Sequence, residues 1–499
     1  MTISAQARLH FMGIGGAGMA PIAYIFHQRG WYVQGSDHSQ NNNLVNQLQQ
    51  LGIQVSPNHA ASNLDGIDVA IYSSAIKPGF PEFDRAQADP EIQLLHRSQA
   101  LWELVQVKTV IAVAGAHGKT STSAMLVDLL NADPQIGDTT FIVGGAIHNL
   151  RDPIPNGHWG DSEFAVIEAD ESDGSFLNYQ PNYTLITSIE PDHLDHFGTY
   201  AKFEQVFIDF CQKTQTMNFL CADNLGVQKI LPKLDSLKIP YQTYSIQQPS
   251  SKILETNSKD RGLKNEREIA VSSQQSAISS QDLTGVSGDQ PKTKKDESFG
   301  DAGLGSEANI DSVFALRDHA WFGEHNLSNA LGAATLAQFI GVTDSAIVAG
   351  LQNFQLPKRR LEIVRDDQQI AIVDDYAHHP SEISASLQAI RAHFPNRRLL
   401  VIFQPHLYSR TKFFQKEFAE ALSSADYAII TGIYAAREKA PGDVKARTIA
   451  QHNDKLVAEE NLDQALRLLI TKIRPSDVVV TMGAGDIWQV LDQLKQVIL

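Results

Sequence analysis

Only two cysteines, Cys211 and Cys221, occur in the 499 residues, and neither sits at a metal-ligand spacing. A disulfide framework is not expected, and a reducing cytoplasm fits. No apolar run approaches the roughly 18 residues needed to span a bilayer. The opening MTISAQARLHFMGIGG lacks a basic stretch, a long apolar core and a small-residue cleavage site, so no secretory leader is expected. Positive charge is scarce: 41 Lys and Arg against 57 Asp and Glu give a formal net charge of −16. That balance argues against nucleic acid or an anionic membrane as the main partner of the chain. Small anions remain open, because they need only local positive charge and backbone N–H groups.

The length suggests two to four domains with separate cores. Strands alternate with helices along most of the chain. LHFMGIGGAGMAPIAYIFHQRG and TVIAVAGAHGKTSTSAMLVDLL each read as strand, glycine turn and helix. Further strands are expected at 68–76, 164–168, 183–189, 370–374, 398–403, 426–431 and 477–482. Short continuous apolar strands between helical patterns imply parallel sheets covered on both faces, an α/β class. Residues 247–312 depart from this pattern. They are rich in Ser, Gln, Lys, Asp and Gly, and are expected to be a flexible polar insertion with at most one hairpin.

Two glycine turns carry the first chemical signal. Gly13, Gly15 and Gly18 fit G-x-G-x-x-G after a strand, and Asp37 ends the next strand, where a ribose-binding acid would sit. Alone this pattern suits a nicotinamide dehydrogenase or any diphosphate ligand, including a UDP-sugar. In the second turn, Gly118, Lys119 and Thr120 reproduce the end of a phosphate-binding P-loop. Val113 stands where the usual first glycine would fall, so a shorter loop starting at Gly115 is expected. A second nucleotide site argues against a simple dehydrogenase.

Acids and histidines gather after other strands. EADESD spans Glu168 to Asp173, placed to hold Mg²⁺ beside a phosphate loop. IEPDHLDHF offers Asp192, His193, Asp195 and His196, either as a second metal site or as helix caps. GEHNLSNA opens a helix with His325, Asn326 and Asn329. DDYAHHP and FQPHLYSRT bring Asp374, Asp375, Tyr376, His378, His379, His406 and Arg410 to strand ends, where open α/β sheets bind ligands.

In this order GIGGAGM, GAHGKTS, EADESD, EPDHLDH, HNLSNA, DDYAHHP and FQPH-x-YSRT resemble the Mur ligase family, and within it the alanine-adding branch. The similarity covers nearly the whole chain outside 247–312. It implies three domains: a Rossmann-like UDP-sugar domain over 1–107, a central P-loop-type ATPase domain with a parallel sheet over 108–355, and a C-terminal Rossmann-like α/β domain over 356–499. Carried over by position, Gly115, Ala116, His117, Gly118, Lys119, Thr120, Ser121, Asn329, Arg360 and Asp374 would bind ATP. Thr120, Glu168 and His193 would hold Mg²⁺. Gly15, Gly16, Ala17, Gly18, Asp37, Ser73, Ser74 and Ala75 would bind the UDP-sugar. Lys119, His378, His406 and Arg410 would be catalytic, and Tyr376 and His378 would line the amino-acid pocket. Three departures stand out. Ala116 replaces a usual threonine, Leu407 a frequent arginine, and Phe207 lies where sister ligases carry a carbamylated lysine.

The implied reaction is ATP-dependent amide formation in peptidoglycan precursor synthesis. The lactyl carboxylate of UDP-N-acetylmuramate would become an acyl phosphate, which the amine of L-alanine then attacks. Positioning and charge neutralisation would be the chief tasks of the protein. His378, with an ordinary pKa near neutrality, would receive the amine proton or simply orient the substrate. The chain is expected as a monomer or weak homodimer. Two rivals remain: a recycling ligase joining muramate to a preformed tripeptide, which FQPHLYSRT disfavours, and a non-catalytic UDP-sugar-binding regulator. Ala116 and Leu407 alone support the latter, and retention of Lys119, Glu168 and His193 opposes it.

Overall fold

The computed structural model describes residues 3–39, 42–147, 152–191, 197–247, 323–436 and 438–497, all within one compact unit. The first sheet is built from β1 (Arg8–Met12), β2 (Tyr32–Ser36), β3 (Gln54–Ser56), β4 (Val69–Tyr72) and β5 (Gln93–His96). Its order is β3-β2-β1-β4-β5, with every pair parallel. Chain order reverses beside β1, so the turns after β1 and β4 face one crevice at the switch point. Those turns carry Gly13–Gly18 and Ser73–Ala75. The strand expected at 68–76 stops at Tyr72, because the chain must turn there to reach the crevice.

The second sheet contains β6 (Thr109–Ala114), β7 (Thr140–Ile142), β8 (Gly157–His158), β9 (Phe164–Glu168), β10 (Tyr183–Ile186), β11 (Met217–Cys221) and β12 (Tyr241–Tyr244). Its order is β12-β11-β10-β6-β9-β7-β8, parallel except at the β7–β8 edge. All of β6 except Thr109 is buried. This is expected of a central strand covered on both faces. Its neighbours β9 and β10 end beside the second glycine turn.

The third sheet holds β13 (Glu362–Asp366), β14 (Ile370–Asp375), β15 (Leu399–Phe403), β16 (Tyr427–Thr431), β17 (Leu456–Glu459) and β18 (Asp477–Met482). The order is β13-β14-β18-β15-β16-β17, and only β13–β14 is antiparallel. The parallel sheets expected of an α/β fold are present, and an antiparallel pair closes one edge of the second sheet and one edge of the third. One apolar cluster joins the first sheet to the second, from Phe11 and Phe26 to Ile186, Phe203 and Phe210. Among the described residues no helix is long and apolar enough to cross a membrane. The polar segment, from residue 248 onward, and its expected hairpin lie outside the described residues.

Candidate active site

The turn after β6 leads directly into the helix Lys119–Ala132. Gly118 precedes that helix with φ of +80°, and no side chain caps it. A side chain there would also collide with Asn329, since a Cβ would lie 2.6 Å from Asn329 Oδ1. The helix therefore begins with free N–H donors and a positive dipole end, a ready anion site. Ahead of it the loop is pinned to the end of β10. The N–H of Ala116 donates to the Ser188 carbonyl at 3.0 Å and that of His117 to Ser188 Oγ at 3.0 Å. The Thr187 hydroxyl donates to the His117 carbonyl.

Lys119 curls back over this loop. Its ammonium donates to the Gly115 carbonyl at 2.6 Å and pairs with Glu171 at 2.9 Å. Burial works against its charge, but Glu171, Asp170 and Glu168 outweigh it and hold the lysine above its ordinary pKa. The acidic run after β9 divides its work. Glu168 accepts from Thr120 Oγ1 at 3.0 Å and from the Gly144 N–H at 2.7 Å. Asp170 takes Arg97 at 2.9 Å, and Asp173 takes Ser74 across the crevice. Thr120 and Glu168 are thus together, and two hard oxygen donors fit Mg²⁺. His193, expected as their partner, lies outside the described residues, as do Asp192, Asp195 and His196.

A cavity of about 330 Å³ opens beside the loop. His117, Gly118, Ser121, Asn329 and Arg360 all line it, and so does Asp375. Asp374, expected there, is fully buried on the other side of β14, held by Arg359 at 3.1 Å and Thr481 at 2.6 Å. Side chains alternate along a strand, so only one of two adjacent aspartates can face the cavity. The carboxylate at the cavity is therefore that of Asp375, pushed up to about 6 by burial.

The C-terminal candidates form one cluster. The rings of Tyr376 and His378 lie 5.4 Å apart, and those of His378 and His406 5.7 Å. Arg410 Nη1 stands 3.4 Å from His406 Nδ1. His378 Nδ1 is 3.0 Å from the Tyr376 carbonyl, which can only accept. The proton therefore sits on Nδ1, and Nε2 is left as an acceptor. Burial, opposed by Glu382 and aided by the Arg410 charge, brings His378 down to about 3. His378 thus lies well below the ordinary histidine value and is neutral at physiological pH.

In the first sheet the glycine turn is closed from below. The Asp37 carboxylate accepts from the Gly15 N–H at 2.9 Å and the Ser39 N–H at 2.8 Å. A Cβ on Gly15 would lie 2.5 Å from Val45 Cγ2, so no larger residue fits. Gly16, Ala17 and Gly18 stay exposed. Ser73 and Ser74 are half-buried and Ala75 exposed at the end of β4. Arg97, which the sequence reading missed, approaches Gly18.

Other missed residues join the loop to the third sheet. His117 Nδ1 lies 3.0 Å from Glu382, and its Nε2 lies 3.1 Å from Ser381 Oγ and 3.3 Å from Glu190. His117, Glu190 and His379 offer ligand atoms within 4.8 Å of one another. The Ser381 hydroxyl bonds to all three, which makes the group a hydrogen-bond node. The one readable signal was Pro380 followed by Glu382, a helix-start signature. As for the other departures, Phe207 is fully buried against Phe176 and Phe203. Leu407 adopts φ of +70°, and nothing in the structure explains why it stands there.

Three family models match the chain: "Mur ligase family, catalytic domain" over residues 8–109, "Mur ligase middle domain" over 113–286, and "Mur ligase, glutamate ligase domain" over 359–485. Among curated relatives, a UDP-N-acetylmuramate–L-alanine ligase of Bifidobacterium adolescentis is 36% identical, covering 98% of this chain and 92% of its own. One from Rhodospirillum rubrum is 36% identical over 96% and 92%. The fold matches the crystal structure of UDP-N-acetylmuramate-alanine ligase MurC from Thermotoga maritima. There the TM-score is 0.70 at 23% identity, over 98% of this chain and 99% of that one.

Proposed function

Since the chain belongs to the Mur ligase family, we propose that it joins L-alanine to the lactyl carboxylate of UDP-N-acetylmuramate with consumption of ATP. The observation that carries the reading is a continuous path of contacts. It runs from Lys119 and its loop through His117 and Glu382 to His378, His406 and Arg410. Near-full-length similarity to curated alanine ligases supports the choice of amino acid.

In this reading residues 1–107, 108–355 and 356–499 are the three domains. The UDP-sugar lies on Gly15–Gly18 and Ser73–Ala75, with Asp37 holding the glycine turn in shape. The nucleotide occupies the cavity beside His117, Gly118, Ser121, Asn329, Arg360 and Asp375, its phosphates over the helix start at Lys119. Thr120, Glu168 and His193 hold Mg²⁺, which supplies charge neutralisation at phosphoryl oxygens. Lys119 adds a second positive charge there, aimed by Glu171. Arg410 and His406 draw in the carboxylate. His378 Nε2 and Tyr376 orient the amine, so that the nitrogen lone pair faces the activated carbonyl. The chain works as a monomer or weak homodimer in the cytoplasm.

The test is phosphate release from ATP. Release is expected only when UDP-N-acetylmuramate, an amino acid and Mg²⁺ are all present, with L-alanine preferred. Absence of release from well-folded protein would overturn the ligase reading. Faster turnover with a preformed tripeptide would move the chain to the recycling branch.

A further inference from the structure

We propose that Glu382 is a positioning residue that ties the phosphate loop to the histidine cluster, so that one carboxylate sets both halves of the ligation site. The inference rests on the ligase reading above and deepens it.

Glu382 lies in the first turn of the helix Pro380–His393. Its Oε2 accepts from the backbone N–H of His378 at 2.9 Å and of His379 at 3.2 Å. That much is ordinary helix capping. Its other oxygen does something a cap does not require. Oε1 meets His117 Nδ1 at 3.0 Å, 265 residues away in sequence. His117 sits inside the phosphate loop, with its backbone fixed to Thr187 and Ser188. Glu382 Oε2 also lies 3.3 Å from His378 Nδ1. Any shift of this carboxylate therefore moves the loop under the phosphates and the ring that faces the amine together.

The charges around it come from every packed element. The second sheet supplies His117 and Glu190, the helix Gly323–Phe339 supplies His325, and the third sheet supplies Arg360, Asp375, His378 and His379. Despite burial, Glu382 stays ionised, because the charges of His117 and Arg360 favour its own. His117, between Glu382 and Glu190, is raised to about 10.

The substitution Glu382→Gln separates cap from charge. The amide oxygen can still accept from the His378 and His379 N–H groups, while the negative charge toward His117 is lost. For E382Q we expect a folded protein that melts below wild type near neutral pH, because the charged His117 loses one of its two carboxylates, with KM for UDP-N-acetylmuramate unchanged. The kcat should fall about tenfold to a hundredfold, the scale of a small misplacement of reacting groups. The alkaline limb of kcat should move to lower pH, because His117 keeps only Glu190. Wild-type kcat and pH profile in E382Q would overturn the proposal. If E382Q fails to fold, Glu382→Asp decides: it keeps the charge but withdraws it by one methylene. Reduced kcat with unchanged KM supports the positioning role, and unchanged kcat overturns it. Failure of wild type to ligate would instead sink the ligase reading.

Discussion

At the scale of single residues, Lys119 is the most exposed to test. It is half-buried beside three carboxylates, and its ammonium already points over the loop that would carry phosphate. Lys119→Met keeps the length of the side chain and deletes the charge. The expected loss is about 10²–10³ in kcat, the scale seen when one preorganised charge-stabilising donor is removed. Stability should change far less. Burial, aided by Asp170 and opposed by Lys119, already pushes Glu171 up to about 7, so that without the lysine the acid takes a proton instead of standing as a bare charge. Steady-state kinetics alongside a thermal melt would show whether the two effects part in this way. Ala116 offers no similar lever: its backbone N–H is satisfied by Ser188.

At the scale of elements, the strand–turn–helix unit around Gly118 decides how precisely the loop is held. Gly118→Ala meets two obstacles at once, a backbone at φ +80° and a contact with Asn329 at 2.6 Å. A left-handed residue with a Cβ costs about 1–2 kcal/mol. Displacing Asn329 should also raise KM for ATP while leaving KM for the UDP-sugar alone; denaturant melts and substrate titrations would separate the two. This unit was legible in the sequence, because an apolar run, two glycines and a lysine state its geometry locally. The same holds for Glu168, one residue type at the end of one apolar strand. The choice between Asp374 and Asp375 was not legible. β14 is buried on both faces, so no polar–apolar alternation marks which aspartate faces the cavity. Glu190, Ser381 and Glu382 escaped for another reason. Their partners in the other sheet lie 191 and more residues away, and only packing of the two sheets brings them together.

At the scale of the whole molecule, His117 links the second sheet to the third through Glu382, and this link has a pH signature. The folded state raises His117 from 6.5 to about 10. A histidine raised on folding contributes stability that is fully present below its unfolded pKa and is lost as pH climbs through the folded value. The window therefore runs from about pH 6.5 to about 10. His117→Gln removes the titrating group and keeps a similar shape. Against wild type it should be less stable by roughly 4–5 kcal/mol near pH 6, about 1.4 kcal/mol for each unit of that window. The difference should narrow steadily above neutrality and vanish past pH 10. Paired unfolding curves at several pH values give that difference directly, since titrations common to both proteins largely cancel. A gap that stayed constant from pH 6 to 10 would mean that His117 holds the sheets together as a neutral ring. Glu382 would then need another counter-charge, and Arg360 is the cation that already favours its ionised form.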